Sequence, residues 1–158
     1  PHLEVIQKDG LYWSTSIRCI LCPNLQEMQT RAVSQVRTLK VVVLNKLKTI
    51  QKWAFLNCAG LRVVQMNQLE VVAENAFRNC ASLQRAIFRS ATQIGDDAFY
   101  NCRLLSYMEV PNIQALTRGQ VLSQQIIEFN PPVAFEQTEP LPQPNIQGFS
   151  YQYKVVNK

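Results

Sequence analysis

Apolar and polar positions along this chain return in register every 22 residues. Counted from Pro1, six units begin at Pro1, Pro23, Asn45, Asn67, Arg89 and Pro111. The seventeenth place of the units holds Ile17, Leu39, Leu61, Leu83, Leu105 and Ile127, and the sixth holds Ile6, Met28, Ile50, Val72, Ile94 and Leu116. The third place is equally apolar, with Leu3, Leu25, Leu47, Leu69, Ala91 and Ile113. The eleventh holds Leu11, Val33, Phe55, Phe77, Phe99 and Val121; the tenth is Gly10, Ala32, Ala54, Ala76 and Ala98 before Gln120 breaks it.

A period of this size marks stacked supersecondary units, none of which can bury its apolar face alone. Each of the first five units has one β-like run after the seventeenth-place aliphatic, as in KVVVL at 40 to 44 and RVVQM at 62 to 66. Units repeated in one direction place these strands in parallel, about 4.8 Å apart, with turns on the other side of the coil. The polar pairs before Ala-Phe, Glu74-Asn75 and Asp96-Asp97, suit a cap, and a single helical or 3₁₀ turn is expected over Ala98 to Cys102.

With the leucine in front, the runs read L-x-x-V-x-L, the strand signature of a leucine-rich repeat. The segments IQKWAFLNCAGL, VAENAFRNCASL and IGDDAFYNCRLL share I-x-x-x-A-F-x-x-C-x-x-L. This pattern resembles the BspA-type leucine-rich repeat of bacterial and protist surface proteins. It is strongest over residues 45 to 110; the first two units share the apolar columns but have Ser14 and Val36 at the cysteine place. The expected fold is a mainly β leucine-rich-repeat solenoid with short helical or 3₁₀ turns, about six 22-residue units and a parallel concave sheet. The resemblance also implies surface exposure, adhesion and host contact.

The evenly spaced Cys58, Cys80 and Cys102 could suggest disulfide, metal or nucleophile. In a parallel stack they form a column about 4.8 Å apart with parallel side chains, which suits neither disulfide geometry nor a convergent zinc cage. Cys19 and Cys22 form C-x-x-C on a strand, where they point to opposite faces, and no second pair exists. The one histidine, His2, is far along the chain from any cysteine motif, and no nucleophile elbow or phosphate-cradling glycine loop appears. No catalytic residue, metal site or cofactor is expected. The cysteines are read as small buried hydrophobes, which Val36 replaces in the second unit.

Composition adds limits. At 158 residues and 47% hydrophobic, one domain with a tail is expected: a solenoid over 1 to 130 and a Pro-rich extended tail with a terminal strand over 131 to 158, serving as a C-terminal cap or running back over the sheet face. The net charge of +5 favours acidic partners, but Lys and Arg are scattered, so nucleic acid is disfavoured. The first residues lack a signal-peptide core and no stretch is apolar enough to cross a membrane. Free cysteines and the missing leader point to the cytoplasm; the resemblance points to the cell surface or secretion.

The ruler also predicts a binding surface. Places 18, 19 and 21 should face outward from the sheet, and they bring together Arg18, Leu21, Lys40, Val41, Val43, Arg62, Val63, Gln65, Arg85, Ile87, Tyr107 and Glu109. Together with Cys19, the aliphatics make an apolar stripe beside a cationic ladder of Arg18, Lys40 and Arg62, a pattern that marks an interaction site. The expected partner is another protein or a second copy of the chain, with an anionic glycan as a further candidate. The first expected role is a non-catalytic recognition module in adhesion or host contact, and the second an intracellular scaffold or self-assembly component. The sixth unit is expected to end the sheet, with Asn130 at an inward place before Pro131-Pro132.

Overall fold

The computed structural model describes residues 3–116, 121, 128–130 and 134–135. Along this stretch a two-residue strand alternates with a longer one. In chain order these are β1 (Val5–Ile6) and β2 (Cys19–Leu21), β3 (Glu27–Met28) and β4 (Val41–Leu44), and β5 (Thr49–Ile50) and β6 (Val63–Met66). They continue as β7 (Val71–Val72) and β8 (Arg85–Ile87), β9 (Gln93–Ile94) and β10 (Tyr107–Glu109), β11 (Ala115–Leu116) and β12 (Glu128–Asn130), and finally β13 (Ala134–Phe135). The longer strands form one parallel sheet of six, ordered β12-β10-β8-β6-β4-β2. The short strands form a second parallel sheet, β1-β3-β5-β7-β9, and β11 pairs with β13. The chain is therefore a parallel β-solenoid with a sheet on two sides.

The second sheet is an addition to the sequence expectation, which gave each unit one strand. Its members are only two residues long, and the inner one is the sixth-place aliphatic, buried in each of Ile6, Met28, Ile50, Val72 and Ile94. Two residues are too few to display alternation in sequence.

Registers in the six-stranded sheet repeat the 22-residue step, with Cys19 opposite Val41, Val41 opposite Val63, and Val63 opposite Arg85. Places 17, 20 and 22 point inward: Leu39, Val42 and Leu44, then Leu61, Val64 and Met66, are fully buried. The last pairing departs from the step. Tyr107 faces Glu128 and Met108 faces Phe129, so the sixth coil is one residue shorter. This corrects the placing of Asn130 at an inward position: Phe129 takes the inward place at 8% exposure, and Asn130 is in register with Glu109. A one-residue shift moves a strand's side chains to the opposite face, so a shortened coil restores the alternation that a fixed ruler loses.

The helical turn expected over Ala98 to Cys102 is also corrected, since no helix occurs among the described residues. Isolated turns close instead, from Ala98 N–H to the Gly95 carbonyl, Tyr100 to Asp97 and Cys102 to Phe99. Asp97 and Asn101 have φ of 52° and 60°, and a left-handed residue at each of these points prevents consecutive helical bonds. The polar pair before Ala-Phe thus supplies a left-handed residue, Asn75 or Asp97, rather than a helix cap.

The ninth place (Asp9, Arg31, Trp53, Asn75, Asp97) and the thirteenth (Trp13, Gln35, Asn57, Asn79, Asn101) are left-handed in all five coils. Between them the backbone turns outward amides toward the next coil. Val33, Phe55 and Phe77 donate their N–H to the carbonyls of Ala54, Ala76 and Ala98 at 2.8 to 2.9 Å. The tenth-place alanines are fully buried at this contact, where a larger side chain would hold the coils apart.

The solenoid boundary expected at residue 130 falls between β12 and β13, and the β11–β13 pairing links chain on either side of it. Apart from Ala134 and Phe135, the expected Pro-rich segment and terminal strand lie outside the described residues.

Candidate recognition surface

The interior contains the motif residues that first suggested chemistry. Phe55 and Phe77 stack with centroids 5.1 Å apart and planes 7° from parallel; Phe77 and Phe99 follow at 5.3 Å and 6°. Beside them the thiols form a column. Cys58, Cys80 and Cys102 are fully buried and donate to the carbonyls of Val33, Phe55 and Phe77 at 3.0, 3.2 and 3.1 Å. Burial pushes the Cys58 and Cys102 thiols up to about 12, opposed in part by backbone hydrogen bonds, and raises Cys80 well above its usual value. A thiol held neutral in an apolar interior is a packing group rather than a nucleophile.

The described residues gather no group of three His, Cys, Asp or Glu able to hold a metal ion. His2 lies outside them. A shallow depression lined by Gln26, Lys46, Lys48 and Gln68 brings together no acid–base pair, and Lys48 is drawn toward Glu70 at 3.6 Å.

The outer face of the six-stranded sheet gathers the residues predicted from the ruler. One row runs Cys19, Val41, Val63, Arg85 and Tyr107, and a second runs Leu21, Val43, Gln65, Ile87 and Glu109. Val41, Val43, Val63 and Ile87 are half-buried, while Leu21 at the end is 62% exposed. The outward rows thus keep aliphatic side chains at the surface in four successive strands. At the far end the Arg85 guanidinium lies over the Tyr107 ring at 4.6 Å, and Glu109 pairs with Arg89 at 2.7 Å.

Arg18, Lys40 and Arg62 precede β2, β4 and β6 and run alongside these rows. Arg18 and Arg62 are exposed, and Lys40 is half-buried against the following coil at Gly60. Among the described residues, the ion pairs engage Arg31, Lys48, Lys52, Arg78 and Arg89 and leave this ladder without a carboxylate. Arg37 and Arg103, both exposed at the fifteenth place, extend the same basic edge but are absent from the predicted set. They lie in the corner before the strand, outside the alternating strand places.

The family model of the BspA-type leucine-rich repeat region matches residues 2–119 in six copies. No curated protein and no solved structure gives a significant match.

Proposed function

Starting from the fact that the chain belongs to the BspA-type leucine-rich repeat family, we propose that it is a non-catalytic module that recognises another protein through the outer face of its six-stranded sheet. The observation that carries this reading is the aliphatic surface of Leu21, Val41, Val43, Val63 and Ile87, placed in outward rows where solvent favours polar side chains. Strand preference for β-branched residues accounts for valine on either face, but not for the carboxylate-free basic edge beside it. Repeat proteins of this kind use an extended sheet face for binding. The family is commonly surface-associated, which supports contact and adhesion outside the cell.

The test compares the intact chain with a variant carrying Val41→Glu, Val63→Glu and Ile87→Glu, both checked by urea unfolding. Loss of captured protein partners by a variant that still unfolds cooperatively is the expected outcome. Recovery of the same partners by both would remove the sheet face from consideration.

A second reading, self-assembly in a scaffold, is favoured by the same aliphatic rows of Leu21, Val41, Val43, Val63 and Ile87, which a second copy of the chain would cover as well as a foreign protein. Light scattering separates the two: a stable dimer supports assembly, and a monomer leaves the sheet face for a foreign protein.

A further inference from the structure

The distribution of charge around the coil is more specific than the net charge of the chain. In the first five coils the eight acidic residues occupy places 4 to 9, and once place 21. Places 14 to 20 contain none, yet they hold Arg18, Arg37, Lys40, Arg62, Arg85 and Arg103. No carboxylate among the described residues pairs with any of the six. Charge is therefore sorted by angle around the coil, and one corner of the stack is basic over its length. In the sixth unit places 14 to 20 hold Glu128 and no basic residue, so the strip of cations ends with the fifth.

Building on the protein-recognition reading above, we propose that this corner and the aliphatic rows together bind an acidic amphipathic helix of a partner protein, lying along the stack axis across the strands. Three observations select this occupant. Arg18, Lys40 and Arg62 repeat at the strand spacing of about 4.8 Å. Carboxylates three or four residues apart on a helix face lie about 5 to 6 Å from one another, a near match. Alternate side chains of an extended strand are about 6.6 Å apart and fall out of step after one coil.

Next, the aliphatic rows lie against the basic corner, so the partner must be apolar on one side and acidic on the other. A sulfated glycan has no apolar stripe to cover Val43 and Ile87. Finally, single-stranded nucleic acid requires aromatic platforms between the cations. From place 15 to place 19 the second, third and fourth coils contain no aromatic residue, and Tyr107 and Trp13 at the ends already stack with Arg85 and Arg37, at 4.6 and 5.8 Å.

The experiment uses the full chain and a labelled synthetic helix with glutamates at i, i+4 and i+7 beside a leucine stripe, read by fluorescence anisotropy. Its companions are the same helix with glutamine for glutamate, and heparin. The glutamate helix should bind in a salt-sensitive manner, and more tightly than either companion. The variant Arg18→Gln, Lys40→Gln, Arg62→Gln should weaken it by about tenfold, the effect of three partly exposed ion pairs. Equal binding of the glutamine helix, with loss in the Val41→Glu, Val63→Glu, Ile87→Glu variant, would overturn the acidic-helix proposal and leave protein recognition by the sheet standing. Tighter binding of heparin, an unchanged affinity in the charge variant, or no binding of the glutamate helix would each overturn it too.

Discussion

The side-chain amide of Asn79 donates to the Oδ1 of Asn57 at 2.8 Å, across 22 residues of sequence. Asn101 donates in the same way to Asn79 at 3.0 Å, so the three asparagines form one ladder up the turn side of the stack. All three are left-handed, with φ of 59° to 61°, a conformation that asparagine tolerates better than other residues bearing a β-carbon. One residue type therefore answers two demands, the turn within a coil and the bond between coils.

Asn79→Ala removes both services and is expected to destabilise the fold by about 2 to 3 kcal/mol, from left-handed strain and two lost hydrogen bonds. Asn79→Gly keeps the backbone freedom and should cost less, leaving the ladder bonds as the remainder. Gln35 occupies the same place two coils earlier, next below Asn57, at φ 64°. Gln35→Asn should raise the free energy of unfolding by about 1 kcal/mol at most, and a drop would contradict the conformational account.

The thiol column predicts an alkaline limb of stability. Folded pKa values are raised to about 12 at Cys58 and Cys102, from a usual value of 9.0. The native chain thus holds protons that the unfolded chain releases once pH passes about 9. This contribution is intact below pH 9 and declines toward pH 12, at about 1 kcal/mol per pH unit for each thiol. Replacing Cys58, Cys80 and Cys102 with valine, the residue found at place 14 of the second coil, should flatten the fall in urea stability between pH 8 and pH 10.5. At pH 8 a thiol reagent should label the exposed Cys19 at once and leave the buried three. Parallel pH profiles, or prompt labelling of all five, would contradict the buried column.

The interior was legible because its columns are chemically uniform: Leu39, Leu61, Leu83 and Leu105 occupy one place and are all fully buried. The outward rows followed from strand alternation once those leucines fixed the phase. What stayed hidden had no residue-type signature. Arg31, Trp53 and Trp13 are left-handed because the coil geometry repeats, although none of them favours that conformation. The sixth coil has no such signature either, because a ruler of fixed length cannot register one missing residue, and Phe129 rather than Asn130 stands opposite Met108. Arg37 and Arg103 stand in the corner before the strand, outside the alternating places that mark its outward face.

Gly60 marks a close approach of two coils. A β-carbon there would run into the Arg37 carbonyl oxygen and stand 2.8 Å from Lys40 Nζ and 3.1 Å from the Leu39 carbonyl oxygen. The lysine tip can move, but the carbonyls are fixed in the preceding coil. Gly60→Ala should therefore destabilise by about 1 to 3 kcal/mol, as overpacking does, although alanine normally stabilises an unstrained glycine position by reducing the freedom of the unfolded chain. Thr38, at the same place one coil earlier, has room to donate its hydroxyl to the Ile17 carbonyl at 2.7 Å. Thr38→Ala should cost only that bond, about 1 kcal/mol. Equal effects at the two places would mean that Gly60 is not a contact point.

Phe77 has a ring on either side of it, Phe55 at 5.1 Å and Phe99 at 5.3 Å, and a third, Phe88, tilted against it at 5.7 Å. Phe55 has one of these neighbours, because the eleventh place of the coil before it is Val33. Both rings are fully buried, so truncation to alanine should cost about 3 to 5 kcal/mol at either site. The difference between them isolates the extra ring contacts: Phe77→Ala should exceed Phe55→Ala by about 1 to 3 kcal/mol, since each aromatic pair adds about 0.5 to 1.5 beyond its buried area. A double-mutant cycle on Phe77 and Phe99, using leucine to limit the cavity, should return a coupling within the range of one such pair. Chemical unfolding followed by circular dichroism provides the energies, and a coupling of zero would reduce the stacked rings to independent fillers of the core.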